Sequence, residues 1–463
     1  MNDSRPGSAY STVQVDSHET HVTEKYFAKR KASTDWQRYV FTCITAPQRF
    51  RLLCVWALSL CIGSMTHSAN AADPKTVLKP DTIDLGDRPA LLQSLLPDGD
   101  LKAQLADCDL SAASPQRFSI AHRGAPLQFA EHTREGYLAA ARQGAGIIEC
   151  DVTFTQDHEL VCRHSQCDLH TTTDILNTTL ASQCRVQPDY NASAPFANVE
   201  CCTSDITLAE FQSLRGKRDG ANPRARTLQD YFSGTPGWQS DESLDYATLM
   251  THADSIALFQ QLDVGMIPEL KAPLVDMPFN GFSQTDFARK MIDEYRTASI
   301  ESDQVYPQSF DLDDIRFWRK TEPDFASQLV FLDDRYRSST FDTSNAASWQ
   351  PDMRALQKAG VAILAPPIWM LLTLDKQGQI VPSDYAKAAR ASGMALVAWS
   401  LERAVDVSAG GGWYYQSIAP AIDDEGDLLT VLDVLMRDVG VTGIFSDWPA
   451  TTTYYAHCMG DSS

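Results

Sequence analysis

Eight short apolar runs, most of them separated by helix-like stretches, predict an α/β chain with a parallel sheet. The runs are nearly continuous in apolar residues rather than alternating, which fits a sheet covered on both faces. Eight strand–helix repeats suit a closed (β/α)8 TIM barrel better than an open sheet. A long polar stretch breaks the repeat, so the expected fold is a TIM barrel with a large insertion after the second barrel strand, at about 165–250.

The chain before the barrel has a different character. Residues 1 to about 48 are polar without a sustained period and read as unstructured. Arg49-Phe50-Arg51 leads into the apolar run Leu52–Met65, and Ala69-Asn70-Ala71 follows. The run is short for a membrane span, which needs about 20 residues. It reads as a secretory leader cleaved before Ala72, with an uncleaved membrane anchor as the other reading. The expected organisation is a disordered N-terminus plus leader (1–72), a loose lead-in with one short helix near Ala90–Leu96 (73–117), the barrel (118–450) and a C-terminal tail (451–463). The expected location is periplasmic or secreted, with no stable membrane insertion once the leader is removed.

Composition narrows the partners. The 463 residues carry a formal charge of -21, which argues against nucleic acid and anionic membrane surfaces. It does not argue against a small anionic ligand, because a local cation can reverse the sign of a pocket. Eight cysteines follow the leader: Cys108, Cys150, Cys162, Cys167, Cys184, Cys201, Cys202 and Cys458. An even count in an exported chain suggests disulfides. Four crowd the stretch from Cys167 to Cys202, where apolar residues are few and cross-links are expected in place of a core. Cys150 is expected as a plain buried thiol, and no cysteine–histidine spacing suggests zinc.

In chain order, strands are expected at Phe118–His122, Ile147–Val152, Gly265–Leu270, Val305–Phe310, Gln328–Leu332, Val361–Ala365, Ala395–Leu401 and Gly443–Ser446. Helices are expected at Thr133–Gln143, with Thr133 as N-cap, and at Thr285–Ala298, Asp313–Thr321, Met353–Lys358 and Tyr385–Ala391. The run Gly410–Tyr415 reads either as a mobile lid over the barrel mouth or as a surface loop with a small aromatic cluster.

The strand ends carry the chemistry. His122 and Arg123 close the first run, Glu149 and Asp151 lie in the second, and His164 closes a further apolar run at Glu159–His164. Alternate side chains of a strand share a face, so Glu149 and Asp151 point together and Cys150 points away. Glu269 and Lys271 repeat the spacing. Carboxylates aimed at one spot repel unless a cation lies between them. Glu149, Asp151 and Glu269 offer only hard oxygen ligands, a set that suits Ca²⁺ or Mg²⁺. The other reading pairs these acids with Arg123 and Lys271 in a buried ionic network. His158, His170 and His252 lack such company and are expected at the surface.

His122-Arg123-Gly124, Glu149-Cys150-Asp151 and His164 together resemble the N-terminal signature of the glycerophosphodiester phosphodiesterase family. Ala130-Glu131-His132-Thr133 falls where that family has Pro-Glu-Asn-Thr, and its Glu-His-Thr form resembles the periplasmic, calcium-dependent branch. Gln308-Ser309-Phe310, Trp399-Ser400 and Phe445-Ser446-Asp447-Trp448-Pro449 are similar to later strands, so the resemblance runs from about Phe118 to Pro449. It implies the same barrel, with an insertion that caps the pocket. It implies Ca²⁺, or Mg²⁺, on Glu149, Asp151 and Glu269, and acid–base catalysis by His122 and His164. Arg123 and Lys271 would hold the phosphate, and Trp399 would pack on the glycerol backbone. The implied reaction is hydrolysis of deacylated phospholipids to an alcohol and glycerol 3-phosphate. Two alternatives stand beside it. One is a lysophospholipase D or sphingomyelinase D-like activity, with Trp369, Trp413, Tyr414 and Tyr415 along an acyl path. The other is a non-enzymatic relict barrel, against which every chemical position keeps a competent residue. Asp447 is expected to be structural, Glu131 and His132 secondary, and Glu402 stands where many relatives have asparagine.

Overall fold

The computed structural model of the chain describes residue 80 and residues 82–234, 247–403 and 407–460. The expected leader and its cleavage point lie outside the described residues.

Eight parallel strands close into the expected barrel: β1 (Gln116–Ala121), β2 (Ala145–Phe154), β3 (Gly265–Leu270), β4 (Gln308–Ser309), β5 (Val330–Leu332), β6 (Ile363–Ala365), β7 (Ala395–Leu401) and β8 (Gly443–Ser446). Neighbours pair in chain order, and β1 hydrogen-bonds both β2 and β8, which leaves no edge. Ile120, Ile147, Ile267, Val330, Ile363, Val397 and Phe445 fill the interior. Ile148, Cys150, Met266, Leu364 and Ile444 point outward into the core beneath the helices. That alternation fixes the chemistry: Glu149 and Asp151 follow Ile147 at intervals of two, and Glu269 follows Ile267, so all three carboxylates face into the barrel. Close packing also needs small residues here. A Cβ at Gly146 would lie 2.5 Å from the backbone of Gln116.

The surrounding helices are α1 (Arg134–Arg142), α2 (His252–Leu262), α3 (Gln284–Thr297), α4 (Leu312–Thr321), α5 (Met353–Ala359), α6 (Asp384–Ala391), α7 (Asp427–Asp433) and α8 (Pro449–Met459). Thr133 caps α1 by accepting from the Gly136 N–H, as its sequence position suggests. Ser283 and Asp286 form a reciprocal capping box on α3. Asp314 ties α4 to β4 by accepting from the Ser309 hydroxyl at 2.8 Å and from the Gln284 amide at 3.1 Å.

Several expectations change. The run ending at His164 is a short strand, Leu160–Cys162, that folds back antiparallel on β2 and extends the barrel sheet upward. Cys150 is not a free thiol. It bonds Cys162 across this hairpin, because both residues lie on its outer face. The remaining disulfides are Cys108–Cys458, Cys167–Cys202 and Cys184–Cys201. The insertion does build a core: Leu169, Ile175, Phe196, Phe211, Tyr231 and others form a separate apolar cluster beside its two cross-links. The lead-in is not loose. Helices at Arg88–Leu95 and Asp100–Ala106 pack near α8, where the Tyr454 hydroxyl donates to the Leu105 carbonyl. Residues 451–459 are therefore no tail but the body of α8, held by Cys458. His252 is fully buried between Glu294 and the Tyr295 hydroxyl, and His158 stacks on Phe282 at 4.8 Å. Burial pushes His170 down to about 4. None of the three is a free surface histidine.

The Cys108–Cys458 bridge spans 350 residues, whereas Cys150–Cys162 spans 12. Longer loops lose more unfolded-state entropy on cross-linking. Replacing Cys108 and Cys458 together by serine is expected to cost about 2–5 kcal/mol. A lower melting temperature with unchanged turnover per folded molecule is the expected outcome.

Burial raises Asp314 from 3.8 to about 6, against the opposing hydrogen bonds of Gln284 and Ser309. The folded chain therefore binds a proton there that the unfolded chain has released, and stability falls as pH rises across that window. In urea titrations between pH 4 and 7, Asp314→Asn should abolish a pH-dependent loss of roughly 3 kcal/mol.

Candidate active site

The barrel's C-terminal mouth holds a cavity of about 100 Å³ lined by His122, Arg123, Glu149, His164, Glu269, Lys271, Phe310, Leu332, Trp399, Tyr414 and Phe445. Of the eight residues expected to act as acid–base, phosphate, glycerol or metal groups, all but Asp151 line it, and Asp151 pairs directly with Glu269 in the β2–β3 register. One side is charged and the other is apolar.

Glu149, Asp151 and Glu269 are buried, and one oxygen of each lies within 4.8 Å of the others. Glu149 accepts from the Arg123 backbone N–H and from the Gln308 amide, both at 2.9 Å. Asp151 accepts from His132 Nε2 at 2.8 Å, and Glu269 pairs with Lys271 at 2.6 Å. Asp151 Oδ1 is buried without a hydrogen-bond partner, with Lys271 Nζ 3.8 Å away. The electrostatics follow. Burial, then Asp151 and Glu269, push Glu149 well above the usual carboxylate range. Burial lifts Glu269 to about 8 against the pull of Lys271. Burial opposes ionisation of Asp151 too, but Lys271 and His132 outweigh it and hold the group well below its ordinary value. Three oxygen donors that resist sharing negative charge, one with an unpartnered oxygen, fit a hard divalent cation. The ionic network with Arg123 and Lys271 is present as well. Lys271 bridges two of the acids, so the two sequence readings coexist in one site.

Arg123 is strained into place. Its φ is 58°, a left-handed conformation uncommon for a residue other than glycine. The Glu149 bond to its N–H and the His132 N–H donating to its carbonyl at 3.0 Å hold it there. Gly124 follows with φ 97°, and a Cβ there would press on the Gly136 backbone at 3.0 Å. The guanidinium pairs with Glu131 at 2.9 Å, while its Nε is buried without a hydrogen bond, 3.7 Å from Asp151 Oδ2. Glu131 also faces Arg163, a fully buried arginine that donates to the Glu131 carbonyl at 2.7 Å.

His122 meets Asp447 at 2.5 Å through Nδ1, and Arg403 braces the far oxygen of Asp447 at 2.9 Å. An ionised carboxylate only accepts, so neutral His122 carries its proton on Nδ1 and turns the Nε2 lone pair toward the cavity. Nε2 lies 3.9 Å from Glu149. Burial lowers His122 to about 4, with Asp447 opposing. His164 is lowered well below its usual value by burial and by the Arg123 and Lys271 charges. Glu402 now has an account: it accepts from the Ser446 hydroxyl at 2.5 Å and the Trp448 N–H at 3.0 Å. These two contacts flank Asp447 and clamp it under His122. The sequence marked Asp447 as a strand-end acid but gave no sign of its partner, and Arg163 and Arg403 carried no motif at all.

Trp399 donates to the Ala365 carbonyl at 2.8 Å and stacks on Trp413 with ring centroids 5.8 Å apart. Trp369, Tyr336 and Tyr414 also contact Trp413. Gly411, at φ 69°, lets the chain fold over Tyr415, where a Cβ would collide with the ring. The Gly410–Tyr415 stretch is thus an aromatic cluster beside the mouth.

Fold and site together define a barrel hydrolase with a carboxylate–imidazole–arginine centre. A sequence model of the glycerophosphoryl diester phosphodiesterase family matches residues 122–451, and the chain belongs to that family. The enzyme class expected from the sequence, a phosphoric diester hydrolase, is the class of this family. Over 247 residues the chain is 46% identical to an extracellular protein of Arthroderma benhamiae, covering 52% of this chain and 99% of that one. Over 203 residues it is 29% identical to a glycerophosphodiester phosphodiesterase of Haemophilus influenzae, covering 42% of this chain and 50% of that protein. The chain thus spans half the length of that second relative. A solved Oleispira antarctica phosphodiesterase, in complex with the product sn-glycerol-3-phosphate, aligns with a TM-score of 0.42 at 17% identity, covering 74% of this chain and 96% of that one.

Asp447→Asn would offer an amide N–H to Nδ1 and reverse the tautomer. Loss of turnover by about 10²-fold or more with an unchanged KM is the expected result. Normal turnover per folded molecule would mean that Asp447 serves only folding.

Proposed function

We propose that this protein hydrolyses glycerophosphodiesters, deacylated phospholipids such as glycerophosphocholine, to an alcohol and glycerol 3-phosphate. The observation that carries the reading is the shared cavity: two imidazoles, an arginine whose Nε makes no hydrogen bond and a lysine line it together with two of three converging carboxylates.

Arg123 and Lys271 bind the phosphate oxygens, and their charge offsets the negative charge that grows on phosphorus-bound oxygen during the reaction. His122 Nε2 takes the proton of the attacking oxygen, the glycerol 2-hydroxyl or water. His164, on the hairpin stapled to β2, returns a proton to the departing alkoxide. A lowered value keeps His122 neutral and ready to accept a proton, whereas His164 must be protonated before it can donate, and the bound phosphate would supply the negative charge that raises it against the Arg123 and Lys271 charges. Glu149, Asp151 and Glu269 would hold Ca²⁺, with Mg²⁺ as the other candidate. When bound, the ion would supply Lewis-acid polarisation of the phosphoryl group. Phe310, Leu332, Trp399 and Phe445 form the apolar wall against which the glycerol carbon backbone packs. The cavity's volume of about 100 Å³ suits a glycerol phosphate-sized group.

Four disulfides support an exported protein, periplasmic or secreted. Among the described residues no helix is long and apolar enough to cross a membrane.

The test is choline release from glycerophosphocholine with and without EDTA, beside a thermal melt with and without added calcium. EDTA is expected to abolish turnover and calcium to raise the melting temperature by mass action. His122→Ala and His164→Ala should each lose about 10²-fold or more in turnover. Chelator-insensitive turnover would overturn the metal assignment, and a normal rate in both alanine variants would overturn the acid–base pair.

A further inference from the structure

We propose that Asn177 and Asn191 are N-glycosylation acceptors, so that the disulfide-stapled insertion carries two glycans. Each opens an Asn-x-Ser/Thr triplet without a central proline: Asn177-Thr178-Thr179 and Asn191-Ala192-Ser193. Such triplets arise by chance in many chains, so placement has to decide. Among the described residues these are the only two, and both fall in the insertion. Asn177 ends a short 3-10 turn, Ile175–Asn177, and is exposed, as is Thr179. Asn191 lies in a turn in which its backbone N–H donates to Asp189 at 3.0 Å, and Asn191, Ala192 and Ser193 are all exposed. Both sites can therefore carry a bulky group without displacing packed side chains.

Two further observations point the same way. All eight cysteines of the described chain are paired, which places folding in an oxidising compartment, where oligosaccharide transfer also occurs. Tyr190, immediately before Asn191, is 68% exposed, the most exposed of the large apolar side chains. A sugar attached to Asn191 would have that ring face to pack against. The donor required is a lipid-diphosphate-linked oligosaccharide. The Asn Nδ2 forms a bond to the sugar's anomeric carbon and gives up a proton. The bond from that carbon to the diphosphate oxygen breaks, and the lipid diphosphate leaves with the electron pair.

The inference goes beyond the phosphodiesterase reading and needs only its export component. No described residue between 165 and 250 lines the cavity, so glycans here leave turnover unchanged and instead shield the insertion.

The full chain, secreted from a eukaryotic host, is weighed by mass spectrometry before and after peptide N-glycosidase, which converts each released acceptor to aspartate. Two occupied sites are expected. Asn177→Gln and Asn191→Gln should each remove one glycan, the double variant should remove both, and hydrolysis of glycerophosphocholine should stay at the unsubstituted rate. Secreted, disulfide-bonded protein with the bare polypeptide mass would overturn the proposal. Retention in the cytosol with free thiols would overturn it by another route, through the export on which it rests.

Discussion

Three carboxylates forced into one buried corner are the constraint that the rest of the mouth answers. β2 and β3 have no choice in the matter once the barrel closes. The register sets Asp151 opposite Glu269, and the pleat keeps Glu149 on the same face. Buried like charges this close cannot all ionise without a compensating cation. Lys271 supplies part of the compensation, His132 another part, and the strained Arg123 backbone a third through its N–H. What remains is Asp151 Oδ1, which has no hydrogen bond and lies 3.8 Å from Lys271 Nζ. The ionic network therefore compensates the three acids only in part, which is the observation behind the proposed divalent ion.

The second layer holds these groups rather than adding chemistry. Glu131 faces both Arg123 and Arg163 and so converts one strained loop into a braced one. Removing one member of such a buried network would strand a charge, a loss of about 3–5 kcal/mol in comparable cases. Glu402 performs the matching task on the other side of the mouth by gripping Ser446 and Trp448 around Asp447. Positive φ values at Arg123, His132 and Glu402 mark the same three places. Strain gathers where side chains must be aimed, and the surrounding hydrogen bonds offset it.

The barrel was legible because its strands are buried on both sides and therefore read as unbroken apolar runs. All eight were placed from composition alone, and the parity rule put Glu149, Asp151 and Glu269 on the inner face. What the sequence concealed depends on long-range pairing. His122 and Asp447 are 325 residues apart, and nothing local in either segment announces the other. Cys150 was read as a thiol because its partner lies across a hairpin that no turn motif flagged. His252 looked isolated because Glu294 and Tyr295, which bury it, come from the next helix. The insertion's apolar residues are too widely spaced to show a period, yet they meet once the two disulfides gather them. The leader, on which the expectation of export first rested, lies outside the described residues, and the paired cysteines now carry that expectation.

The aromatic residues beside the mouth decide between a water-soluble and a lipid substrate. An acyl path needs apolar faces turned toward an open channel. Here Trp413 lays one face on Trp399 and meets Trp369, Tyr336 and Tyr414 edge-on, so the cluster uses its surface on itself. Trp413 remains 41% exposed, but it does not line the cavity, whereas Trp399 and Tyr414 do. The cluster therefore acts as a buttress that fixes the Trp399 indole, itself anchored to the Ala365 carbonyl, as one rigid wall of a small pocket. That wall lines the same cavity as Arg123 and Lys271, which agrees with the proposed short polar diester. On that proposal the phosphate would meet the cations and the apolar wall would orient the glycerol backbone.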